Sequence, residues 1–115
     1  MSVVGSLHTF AAAIESFDAL AGTEFEFSPP QGATYNVAFT WQTAGATIVT
    51  MDVFFGSVQK ANGISGRETV GINETPTVPD DLKLSERAPG GVKIRVIFNN
   101  SAAVASTVQP LIEIK

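Results

Sequence analysis

Residues 1–115 predict a mainly β fold: an antiparallel β-sandwich, jelly-roll or immunoglobulin-like, of about seven to eight strands with one short N-terminal helix. Three observations predict it. Apolar residues recur with a period of two along 35–42, 49–55 and 92–99, with mostly polar residues between them (Phe54 is an exception), as in strands with one face against a core. Gly, Pro and Asn clusters interrupt these runs at short intervals. Hydrophobic residues make up 44% of the chain, enough for one core in a single domain spanning 1–115, with 1–22 packing on it as an arm or helix.

At the N-terminus, residues 2–8 read as an extended arm or edge strand. Residues 10–21 fit two patterns. Phe10, Ala13, Ile14, Phe17 and Leu20 share a helical face between a Thr9 N-cap and Gly22, while Phe10, Ala12 and Ile14 also alternate as in a strand. The helix is the expectation. "TEFEFS" predicts a short strand with Phe25 and Phe27 inward and Glu24 and Glu26 outward, stopped by Pro29-Pro30.

In "TYNVAFTWQTAGATIVTMDVFFG", Tyr35, Val37, Phe39 and Trp41 face the core, and Asn36, Ala38, Thr40 and Gln42 face water. Val49, Met51, Val53 and Phe55 continue on the core side. A hairpin with an odd-length loop over 44–46 would pair Trp41 with Val49 and Tyr35 with Phe55, whereas a two-residue loop would turn Asp52 inward. Gly45 is expected at positive φ in that loop.

"GSVQKANGISG" reads as a loop. "RETVGINE" and "DLKLSE" predict short strands carrying Val70 and Ile72, then Leu82 and Leu84. A second hairpin follows, turning at Asn99-Asn100-Ser101: Val92, Ile94, Val96 and Phe98 point inward, as do Val104, Ser106, Val108, Pro110, Ile112 and Ile114. Pro110 donates no hydrogen bond, which predicts an edge strand or a bulge there.

Charge narrows the function classes. Only 16% of residues are charged, against roughly 25% in average domains. Such a surface suits contact with protein, so a homo-oligomer or larger assembly is expected. The net charge is −4 and the seven Lys and Arg are scattered, which disfavours nucleic acid. No apolar run has the length of a membrane span, and "MSVVGSLHTF" lacks the basic and apolar parts of a secretory signal, so neither membrane nor secretion is expected. With no cysteine there is no disulfide, thiolate metal site or cysteine nucleophile.

Few residues carry chemistry. His8 is the only histidine, and no base–nucleophile set surrounds it in sequence. Asp80 and Asp81 form a close carboxylate pair that would suit calcium, but the spacing of a calcium loop is absent and a turn role is favoured. Glu24 and Glu26 fit solvated charges better than a catalytic dyad. "APGGVK" and "SGRE" lack the strand-to-helix setting that phosphate binding needs. A sugar platform would need exposed aromatics, yet Trp41 and Tyr35 are assigned inward. The sequons at Asn73 and Asn99 read as incidental.

The expectation is therefore a non-enzymatic structural or assembly protein acting through protein–protein interfaces, such as a bacteriophage capsid decoration or tail protein, with no cofactor, metal or small-molecule substrate. The alternative is a carbohydrate- or ligand-binding module assisted by calcium at Asp80 and Asp81.

Overall fold

The computed structural model describes residues 2–5, 7–10, 15–43, 45, 47–69, 76–77, 80–101 and 104–115. Ten strands occur among them: β1 (Ser2–Val4), β2 (His8–Phe10), β3 (Ser16–Asp18), β4 (Ala33–Thr43), β5 (Val49–Phe55), β6 (Val58–Ser65), β7 (Arg67–Glu68), β8 (Leu82–Ala88), β9 (Ile94–Asn100) and β10 (Ser106–Ile114). They form two sheets. In the larger, β10 lies between β4 and the N-terminal strands β1 and β2, while β8 and β7 flank the other side of β4. The smaller runs β3–β9–β5–β6. Two sheets enclosing an apolar layer are compatible with a β-sandwich.

The core lies where alternation puts it. Tyr35, Val37, Phe39 and Trp41 from one sheet meet Val49, Met51, Val53, Phe55, Ile94, Val96 and Phe98 from the other, all buried. The Phe39 and Phe98 rings meet edge-on at 5.0 Å, and Tyr35 lies 6.0 Å from Phe55 between centroids.

Strand pairing differs from the expected hairpins. β4 and β5 belong to different sheets, and so do β9 and β10. Both connections are arches, and inward-facing parity is the same in an arch as in a hairpin, so alternation alone does not separate them. Tyr35 and Phe55 do meet, across the core instead of along a ladder. The two arches hold each other. The Thr47 hydroxyl donates to Asn100 Oδ1 (2.7 Å), Ile48 N–H donates to Ser101 Oγ (3.0 Å), and Asn100 Nδ2 donates to the Val104 carbonyl (2.9 Å). Gly45 is not among the positive-φ glycines, since the chain there spans the sandwich instead of closing a tight turn. Ala44 and Ala46 lie outside the described residues.

The tight turn is at Gly56-Ser57. Phe55 stands opposite Val58, leaving two turn residues, and Gly56 takes φ 62°. "GSVQKANGISG" thus contains strand β6, not a loop: its backbone pairs with β5, while its edge position leaves polar residues exposed on both faces. Two register shifts interrupt the pairing, and the Asp52 carboxylate accepts from Gly63 N–H (2.6 Å) beside one of them.

The N-terminal expectations divide. Of residues 2–8, Ser2–Val4 and His8 lie in edge strands paired with β10 of the same chain. The expected helix over 10–21 is not formed: Phe10 ends β2, 16–18 form β3 against β9, and turns follow. Ala12, Ala13 and Ile14 lie outside the described residues, as do Val70, Ile72 and Asn73. Residues 23–26 are turns with a single bridge from Phe27 to Lys93, so Phe25 is half-buried and Phe27 is 57% exposed instead of inward.

Pro110 neither marks an edge strand nor bulges. β10 pairs with β4 without interruption from Ser106 to Ile114. Its other side meets β1 and β2 in one register, with Val4 opposite Ile112 and His8 opposite Val108, and the named strands stop between. The Pro110 carbonyl points at Gly5, where a Cβ would stand 2.7 Å from it. The position that lacks an N–H faces the same way, so the missing donor falls on the arm side.

Candidate functional site

His8, on the core-facing side of β2, reaches across the open edge between the sheets. Its ring stacks on Phe17 of β3 at 3.8 Å and 2°, and sits edge-on to Phe10 at 4.9 Å. Its surroundings are aromatic, which makes it a packing element of the seam.

Asp80 and Asp81 are separated by burial. Asp80 is exposed, whereas the Asp81 side chain is 4% exposed and holds Arg67 through both oxygens: Nε to Oδ1 at 2.9 Å and Nη2 to Oδ2 at 3.0 Å. Thr77 N–H adds a bond to Oδ2 at 2.8 Å. The Arg67 hydrogen bonds hold the Asp81 carboxyl below the usual carboxylate range against the opposing effect of burial. Its lone pairs are directed to these donors, and the fork fastens Asp81, with Thr77 bonded to it, to Arg67 of β7. Among the described residues no group of three or more His, Asp or Glu gathers as a metal site would require.

Glu24 and Glu26 sit in the turn before Phe27, and Glu26 pairs with Lys93 at 3.4 Å. Trp41 is 7% exposed and its indole N–H donates to the Gly66 carbonyl (3.2 Å). Tyr35 is fully buried, and burial pushes its hydroxyl pKa up. Neither ring is available to stack on a ligand. Asn99 lies in β9, donates to Asp52 (3.0 Å) and accepts from Ser16 (2.6 Å).

Sequence reasoning missed a hollow at the Gly56 end of the molecule, about 380 Å³ in volume. Phe55, Val58, Pro89 and Val92 give it apolar walls, and Lys60 and Arg87 stand at its rim. The Lys60 ammonium lies 5.8 Å from the Phe55 ring centroid and 3.9 Å from the Glu86 carboxylate, so it bridges the β6 and β8 edges. Arg87 donates to the Gln31 carbonyl (2.8 Å). These residues come from separate segments, and no local motif announces them.

Compared with known proteins, the chain matches no family model, no curated protein and no solved structure.

Proposed function

We propose that this chain is a jelly-roll sandwich serving as a non-enzymatic structural or assembly protein, a bacteriophage virion component of the capsid-decoration or tail kind. The observation that carries the reading is the strand order. β1 and β2 pair with β10, β3 with β9, β4 with β8 and β5 with β6, so apart from the two-residue β7, which lies parallel to β4, the strands follow one long antiparallel hairpin, tipped at Gly56-Ser57 and rolled into two sheets. That winding supports a jelly-roll plan, an architecture of viral capsid domains and lectins.

Fold leaves function open, so the choice rests on the surface. The small charged fraction suits burial against protein, and Val3, Leu7, Phe27, Ile48 and Val58 are each about half exposed. A stable contact would bury about 1,200–2,000 Å². The lectin-like alternative loses support because Trp41, Tyr35 and Asp81 are all committed internally. The arm lies on its own β10, so strand donation to a neighbour would proceed by exchange. Light scattering across a range of concentrations tests the reading. An oligomer is expected, and a monomer at every concentration overturns it.

A further inference from the structure

We propose that two copies dock at the Gly56 end, Phe27 of each entering the other's hollow between Phe55, Val58, Pro89 and Val92, with Glu24 facing Lys60 and Arg87. The proposal rests on the assembly reading and names one surface for it.

The complementarity is in both shape and charge. Phe27 is the most exposed large hydrophobic among the described residues, at 57%, and it follows the exposed Glu24 by three positions within one turn. The hollow offers apolar walls with Val58, itself 54% exposed, and both charged residues lining it are cations. Two of the seven Lys and Arg converge on one apolar site in a chain of net charge −4, and Lys60, 3.9 Å from Glu86 of its own chain, would share its charge between Glu86 and Glu24 on docking. An aromatic ring accompanied by a carboxylate satisfies both features.

Knob and hollow are also fixed to each other. Ser28, next to Phe27, donates its N–H to the Val92 carbonyl (2.9 Å), accepts Val92 N–H on its hydroxyl (2.9 Å), and donates that hydroxyl to the Pro89 carbonyl. Gly90 closes the same joint: a Cβ there would run into the Pro30 carbonyl. The segment bearing the knob is thereby tied to the hollow's wall, so little ordering is needed on contact. Because both are attached to one tie, a two-fold axis beside it would seat both knobs at once. One aromatic covers about 150–250 Å², so making the contact twice is what gives it strength.

The test uses the full chain and measures self-association by sedimentation velocity. Phe27→Ser should weaken association by about tenfold or more. Charge reversal gives an independent arm that leaves the exposed ring in place. Glu24→Lys alone sets like charges against the rim, and so does Lys60→Glu with Arg87→Glu. Each protein should self-associate poorly, but an equimolar mixture should recover association, because every knob then meets a rim of opposite sign. Association unchanged by Phe27→Ser, or a mixture no stronger than its components, overturns the docking and leaves the assembly reading standing. A wild-type chain that stays monomeric overturns both.

Discussion

β4 and β6 are both long strands, yet they differ in almost every physical respect. β4 runs eleven residues and buries Tyr35 to Trp41 without a gap, outward-pointing residues included; β6 runs eight and buries only Ala61. The difference comes from neighbours. β10 and β8 flank β4, placing Leu111 and Leu82 beside Ala38, and Ser85 donates to Asn36 (2.6 Å). Small side chains on the outer face of a central strand disappear beneath longer ones alongside. An edge strand has neighbours on one side only, and β6 adds two register irregularities that deter further pairing.

The largest expected effect tests the inner side of this contrast. Phe39→Ala removes a fully buried ring packed on Phe98 and should cost about 3–5 kcal/mol, read as a lowered urea midpoint in Trp41 fluorescence. A loss under 1 kcal/mol would mean that β4 is not central. The outer side is tested by Ala38→Leu. Ala38 is fully buried although it points away from the other sheet, so overpacking should cost about 1–3 kcal/mol. A neutral result would show that its cover yields freely.

The Arg67–Asp81 fork guards the place where β7 joins β4. Asp81→Asn should cost about 1–3 kcal/mol at neutral pH. The carboxyl is depressed in the folded state, so its contribution is fully present above the ordinary carboxylate pKa of about 3.9 and is lost as pH falls through the lower folded value. Unfolding curves of wild type and variant should therefore converge below about pH 4. A gap that persists in acid would assign the effect to packing. Smallest of all, Gln59→Ala on β6 should stay within about 0.5 kcal/mol.

The same contrast explains what the sequence could reveal. Core-facing positions at 35–41, 49–55, 94–98 and 106–114 were legible because alternate residues of each strand turn toward the other sheet whatever its partner; β5, β9 and β10 bury only those, and β4 buries the residues between them as well. The wet face assigned to Asn36, Ala38 and Thr40 failed because their burial depends on flanking strands distant in sequence, β8 and β10 beside Asn36 and Ala38 and β7 and β10 beside Thr40. β6 was hidden by its polar residues and Gly63, which an edge tolerates. Phe27 was misplaced because "FEF" alternates like a strand but occupies a turn and one bridge. The hollow was invisible: Phe55, Lys60, Arg87 and Val92 converge only after the chain is rolled.

Pro110 has an effect on its neighbour that outlasts its own strand. It withholds one donor toward the arm and stands opposite the break between two short clips, Ser2–Val4 and His8–Phe10. Each clip has its own fastening: the inner one closes the seam through the stacked His8 and Phe17 rings, and the outer one sets Val4 against the core.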